Sequence, residues 1–232
     1  TNMKTLLFSL ASMLGVAFGN AGTTVTDLLG DFSPQVSVSY SDLSTNRGLA
    51  TREDSFAYSV LLGIPVEEAE LSLGIDLHDG DGDLEKDWSL AYARPVKVLG
   101  QNLGAKAYFE KIDSSYGDWE EIGLALTRSH TLADLTATVW HKVESDGAYG
   151  VEIMVSRDFS TPVANLSLTP FIAVNVANEY NAVEAGVSAT HDFGNGLSLF
   201  FKGAYNNNDL DLSDAYALDN DWSLGAGASF KF

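Results

Sequence analysis

Side-chain chemistry is densest in the run Asp79-Gly80-Asp81-Gly82-Asp83-Leu84-Glu85-Lys86-Asp87. Calcium takes several oxygen ligands at ~2.3–2.6 Å, and Asp residues alternating with glycine can converge on one ion where the backbone bends tightly. The spacing is not that of an EF-hand. With Asp79 in first place, Leu84 and Leu90 stand where Gly and Glu are required. Asp79, Asp81 and Asp83 therefore read either as ligands of loosely bound Ca2+ or as the carboxylates of a solvated loop. Asp209, Asp211, Asp214, Asp219 and Asp221 form a second stretch with the same two readings. Either stretch could bridge through cations to anionic surface lipid.

Catalytic patterns are missing. The chain has no GxSxG elbow, no HExxH and no glycine-rich phosphate loop. Without cysteine it has no thiol nucleophile, thiolate metal site or disulfide framework. Its four histidines, His78, His130, His141 and His191, are not spaced i, i+2 or i, i+4 from one another. His141 shares parity with Leu135, Ala137 and Val139, which puts it on an apolar face near a strand end, as an interface residue rather than a base. No enzyme activity and no resident cofactor are expected, loosely bound Ca2+ apart.

The elements that position these residues are strands. From Gln35 onward the dominant hydrophobic period is two. At the end of the chain Trp222, Leu224, Ala226, Ala228, Phe230 and Phe232 share one face, against Ser223, Gly225, Gly227, Ser229 and Lys231. Phe56, Tyr58, Val60, Leu62 and Ile64 repeat the pattern, as do Leu103, Ala105, Ala107 and Phe109. About twelve strands follow on this reading, near 35–43, 54–64, 69–78, 87–96, 102–112, 119–129, 133–143, 148–158, 164–177, 181–191, 196–207 and 220–232. They are ~9–14 residues long, against ~5–6 in soluble sheets, and tilted membrane-spanning strands need ~9–11.

The connections alternate in kind. Tight ones fall at 66–68, 99–101, 130–132, 160–162 and 194–196. Longer, more polar ones fall at 44–53, 79–86, 113–118, 144–147 and 208–219, with 178–180 as a short exception. Short turns at one end and long loops at the other are what an up-and-down transmembrane β-barrel requires. Trp88, Tyr92, Trp119, Trp140, Tyr205, Trp222 and Phe232 lie near strand ends, where aromatic rings suit the membrane–water interfaces. The expected fold is all-β: a transmembrane antiparallel up-and-down barrel of about 12 strands, monomeric, spanning residues 35–232.

A charge facing lipid near the midplane costs ~2–4 kcal/mol, so charges at strand centres should face the lumen. Parity places Lys106, Glu110, Glu121, Glu152, Glu184, Lys202 and Lys231 there, with Asn165, Asn175 and Asn206. Such a wall has two readings. Asp and Glu can concentrate cations along a narrow wet path, or Lys and Glu can pair across strands and fill the lumen. A barrel of about twelve strands lies between the filled eight-stranded case and the open porins of ~16–18 strands. A narrow passive channel for small polar, preferentially cationic solutes is the favoured function. A plugged structural or adhesive barrel with acidic loops is the alternative.

The 232 residues carry 13 Lys plus Arg and 32 Asp plus Glu, a formal net charge of −19. That excludes the basic face a nucleic-acid binder needs. Hydrophobic residues at 45% also exclude an acidic disordered chain. Met3-Lys4, the apolar run from Leu6 to Phe18 and the small residues Gly19 and Ala21 describe a secretory signal peptide over 1–21, behind a two-residue leader remnant. The apolar run falls short of the ~20 residues that span a bilayer as a helix. Residues 22–34 read as a periplasmic lead-in. Pro170 suggests a bulge or break in its strand. Arg94 keeps outward parity but sits beside Pro95 at a strand end, where it can snorkel to headgroups.

The ending Ser229-Phe230-Lys231-Phe232, with apolar residues at alternate positions back to Trp222, resembles the C-terminal strand of bacterial outer-membrane proteins. The resemblance implies a Gram-negative outer membrane as the location and recognition of Trp222, Phe230 and Phe232 by the barrel-assembly machinery. More narrowly, the early strand Val36-Ser37-Val38-Ser39-Tyr40 followed by Arg47-Gly48 is similar to that of small porins of the TorF type, with Asn46 where an aromatic often precedes the Arg-Gly pair. Outer-membrane lipids, the assembly machinery and small solutes are the partners this implies.

Overall fold

Alternating side chains produce strands with one apolar and one small or polar face, and here they close into a ring. The computed structural model describes residues 33–46, 49–80, 83–114, 117–143, 147–178, 180–209 and 222–232. The signal segment, the lead-in up to residue 32, the Arg47-Gly48 pair and Asp81 lie outside these residues.

Thirteen strands run β1 (Ser33–Asn46), β2 (Leu49–Val66), β3 (Ala69–Gly80), β4 (Asp83–Val98), β5 (Gln101–Ser114), β6 (Gly117–Ser129), β7 (Asp134–Lys142), β8 (Tyr149–Ser156), β9 (Phe159–Ser160), β10 (Leu166–Ala177), β11 (Asn181–Asp192), β12 (Leu197–Asn208) and β13 (Trp222–Lys231). Each pairs antiparallel with its sequence neighbour, except that β8 and the two-residue β9 lie end to end against β10 as one interrupted strand. β1 pairs with β13 from Gln35↔Lys231 to Ser41↔Gly225, and this pairing closes a twelve-stranded barrel. Closure removes the open sheet edges that a bilayer does not tolerate.

The interruption has a chemical cause. In the β10 register Pro170 stands opposite Arg157. The Arg157 N–H donates to the Pro170 carbonyl at 3.2 Å, but proline has no N–H to return the bond. The Thr169 hydroxyl donates to Asp158 Oδ1 at 2.5 Å and ties the two strands beside the gap. β10 itself runs unbroken through Pro170. The break expected in that strand falls on its neighbour.

The tight turns lie together at one end. Glu67 and Leu99 take positive φ (55° and 50°), and Gly100 follows Leu99 at 78°, giving the left-handed pair of a two-residue hairpin turn. Asn165 also has positive φ (59°), and its carbonyl accepts the Asp192 N–H. It is a turn residue, not part of the lumen wall as parity suggested.

At the other end the strands run further than expected. Much of 44–53, 79–86 and 113–118 is strand, which leaves only residues 47–48, 81–82 and 115–116 between strands. Outward positions there change from apolar to charged. Above Trp88 come Lys86, Lys111 and Glu120, the last two paired at 3.8 Å. A polar ladder is stable in water, so pairing continues beyond the lipid belt. Asp209, just past β12, accepts the backbone N–H of Asn181 at 2.5 Å and its side-chain amide at 2.7 Å. These bonds to the charged form hold its carboxyl below the ordinary carboxylate range.

Large apolar side chains are exposed around the outside, among them Val38, Phe56, Leu73, Leu90, Leu124, Val139, Ile153, Val174, Phe201 and Leu224. A continuous exposed belt of this kind is incompatible with water and fits lipid. Tyr205 and Trp222 pack at 5.4 Å on its surface, as do Tyr40 and Phe56 at 5.0 Å.

Candidate functional site: the inner wall

The register fixes which side chains share the lumen. Lys106, Glu110, Glu121, Glu152, Glu184 and Lys202 all lie on the inward face, opposite partners of the same face. Lys231 keeps that parity but lies exposed at the short-turn rim, beside Gly196, whose carbonyl accepts its N–H. Glu184, 8% exposed, is ion-paired with Lys202, and the Lys202 ammonium lies 5.1 Å from the Phe171 ring centroid. Glu110 and Glu121 stand directly opposite each other on β5 and β6, and Lys142 flanks Glu121 from β7. Glu121 is buried and accepts a bond from the Tyr108 hydroxyl at 2.7 Å. Glu152 stands between Thr138 and Asn175.

Two aromatics expected at the membrane interface are inside. Trp140 stands opposite Gly123 and Gly150 on the inward face and is 1% exposed. Its Nε1–H donates to Asn175 Oδ1 at 3.0 Å, which satisfies a buried indole donor. Trp119 stands opposite Ile112, also inward, with the Lys142 ammonium 4.9 Å from its ring centroid. Trp88, Tyr92, Tyr205 and Trp222 are outward and exposed. Nearness to strand ends, the ground for expecting Trp119 and Trp140 at the interface, does not distinguish the faces. Parity does.

Three inward aromatics use a device that sequence reading missed. Each lies across a glycine on the neighbouring strand: Tyr108 over Gly123, Trp140 over Gly150 and Phe200 over Gly227. A Cβ at any of these glycines would collide with the ring. The legible signal was an inward aromatic beside an adjacent strand with an inward glycine.

The filling is uneven. Trp140, Tyr180, Ala148 and Ala182 form a buried cluster inside the wall between β7 and β11. Across the lumen a recess of about 220 Å3 is open to solvent, its inward lining including Ser39, Ser55, Ala57, His78, Lys202 and Ser223. Small side chains allow β2 and β12, two strands removed from each other in the sheet, to approach within 8 Å.

In the acidic hairpin Asp79 pairs with Leu84 and Asp83 with Gly80, so the backbones of both belong to strands, and Asp81 lies outside the described residues. His78, Glu85 and Asp87 come together instead, with one ligand atom from each within 4.8 Å of the others. The signal was available: the antiparallel register that sets Gly80 opposite Asp83 sets His78 opposite Glu85 and Asp76 opposite Asp87. His141 lies exposed on the outward face, opposite Ile122 and Tyr149.

No family model matches the chain, and no curated protein matches it. Solved structures do. The KdgM porin superposes with a TM-score of 0.56 at 8% identity, over 85% of this chain and 99% of that one. The NanC porin gives 0.57 at 11%, over 85% and 100%. The COG4313 outer membrane channel from Pseudomonas putida F1 gives 0.50 at 13%, over 87% and 94%. With its closed twelve-stranded ring and exposed apolar belt, the chain has the fold of an outer-membrane β-barrel of the porin kind.

Proposed function

We propose that the protein is a narrow passive channel of the outer membrane for small polar solutes, with a preference for cations. The observation that carries this is the inner wall: a solvent-open recess on one side and carboxylates such as Asp87, Glu121 and Glu184 on the inward face. In a low-dielectric ring, carboxylates outnumbering ammonium groups raise the local concentration of cations. The KdgM porin has been solved in complex with oligogalacturonate. That ligand is a polyanion, which the acidic wall here disfavours, so this chain carries a related fold toward a different solute class. The Arg47-Gly48 signal supports a closer kinship with TorF-type porins. Trp222, Phe230 and Phe232 are proposed as the assembly signal, since they form the outward row of the strand that closes the ring. Loose Ca2+ on the acidic loops remains part of this reading.

Planar-bilayer recording on purified, refolded protein tests it. Discrete channel events with a reversal potential on the cation side are expected in a KCl gradient. Absence of events removes the channel, and anion selectivity removes the charge argument. The buried Trp140–Tyr180 cluster favours a second reading, a plugged structural or adhesive barrel with the acidic loops as its working surface. A silent bilayer supports that reading.

A further inference from the structure

We propose that His78, Glu85 and Asp87 form a binding site for a divalent transition metal, of the Zn2+ class, at the long-loop mouth of the barrel. The site goes beyond the channel reading and does not depend on conduction.

The three side chains come from the inward face of one hairpin. His78 stands opposite Glu85, and Asp87 opposite Asp76, one pair further from the turn. His78 Nε2 is 3.2 Å from Asp87 Oδ2, and the ligand atoms of all three residues lie within 4.8 Å of one another. Bonds of ~2.0–2.1 Å from a tetrahedral Zn2+ to nitrogen and oxygen place ligand atoms about 3.3 Å apart. The His78–Asp87 separation is already that edge, and a modest turn of the Glu85 side chain supplies the third ligand.

The electrostatics call for a cation. Asp87 is 8% exposed, and its Oδ1 is buried with no hydrogen-bond partner among the described residues. A buried carboxylate oxygen without a partner is costly unless a cation or donor satisfies it. Asp76 directly opposite and Glu85 nearby add negative charge, and like charges facing each other across strands are destabilising. Lys202 lines the same recess but is paired with Glu184. A dication bound by His78, Glu85 and Asp87 neutralises the cluster and gives Asp87 Oδ1 a charge to face. One imidazole with two carboxylates suits zinc and its neighbours better than calcium, which prefers oxygen alone. His78 lines the recess, so the fourth metal position faces the lumen and is open to water or solute.

The test is isothermal titration of Zn2+ into the full refolded barrel in detergent at pH 7.5, with heat-modifiable gel mobility confirming that each variant is folded. One saturable site per chain is expected. His78→Ala, Asp87→Asn and Glu85→Gln should each weaken it about tenfold or more, while Asp79→Asn leaves it unchanged. No saturable Zn2+ binding to the folded wild type overturns the site. So does binding that survives both His78→Ala and Asp87→Asn, or a preference for Ca2+ indifferent to His78→Ala. Because binding is read in detergent without ion flow, a channel-silent barrel leaves the result intact, and a conducting barrel that ignores Zn2+ removes only the metal site.

Discussion

On the side of the lumen walled by β12, β13, β1 and β2, the inward positions carry mostly small side chains, Ser223, Gly225, Ser39, Ser55 and Ala57 beside Phe200 and Lys202, and they line a solvent-open recess. On the side walled by β5 to β8, β10 and β11 they carry Tyr108, Trp119, Trp140 and Asn175, and Trp140 and Asn175 are fully buried. The strands on both sides have the same alternation and the same apolar outer belt. Bulk at every second inward position therefore decides whether a barrel of this circumference is wall or passage. Strand number sets only the outer bound.

The sharpest way to break this asymmetry is to carve the filled side. Trp140→Ala removes a fully buried indole and leaves Asn175 Oδ1 without its donor. We expect a loss of about 3–5 kcal/mol in urea unfolding from lipid vesicles. In channel recordings the same variant should conduct more than wild type. Unchanged conductance would mean that the passage runs wholly along the opposite side.

Lys202→Met acts at the boundary between the two sides. It leaves the buried Glu184 carboxylate without its cation, and with Lys202 itself partly exposed the expected cost is about 1–2 kcal/mol. Loss of a lumen ammonium should move the reversal potential further toward cations. A shift toward anions would show that the Glu184–Lys202 pair does not face the conducting path.

Filling the open side is the converse experiment. Ala57→Trp places an indole into the recess, against the nearby β12, and the overpacking should cost about 1–3 kcal/mol. Conductance should fall sharply. If it does not, the recess is a blind pocket and the plugged reading gains.

Asp209→Asn should have the smallest effect and serves as a control away from both sides. The Asp209 carboxyl is held below its ordinary range in the folded state, so its contribution is present above the unfolded value. It is lost as pH falls through the folded value. Any difference between wild type and variant in protease resistance of the long-loop end should therefore exist at neutral pH and vanish in strong acid. A difference that persisted in acid would assign the effect to something other than the carboxylate charge.

Much of this was legible beforehand. The row from Trp222 to Phe232 and its counterpart from Ser223 to Lys231 define the two faces of β13, because a strand turns successive side chains to opposite sides. The expected strand ends agree with those observed to within a few residues at the tight turns. At the long-loop end the strands overrun the expected bounds, because a ladder in water tolerates polar residues on both faces and polar sequence there is not loop. Trp140 shows the same kind of miss on a smaller scale. The outward parity of His141 implies that its neighbour points inward, whereas position near a strand end says nothing of the face.

By itself the sequence determined the period of two, and with it the strands, the apolar belt and the set of residues denied to lipid. Those follow from local geometry and the cost of exposing apolar surface to water or charge to hydrocarbon. Only the tertiary structure decided which inward residues meet. Tyr108 lies over Gly123, Glu184 reaches Lys202, and His78 joins Glu85 and Asp87 because register and closure set the contacts between strands. Register is a property of pairs of strands, and it is not contained in the alternation of any one of them.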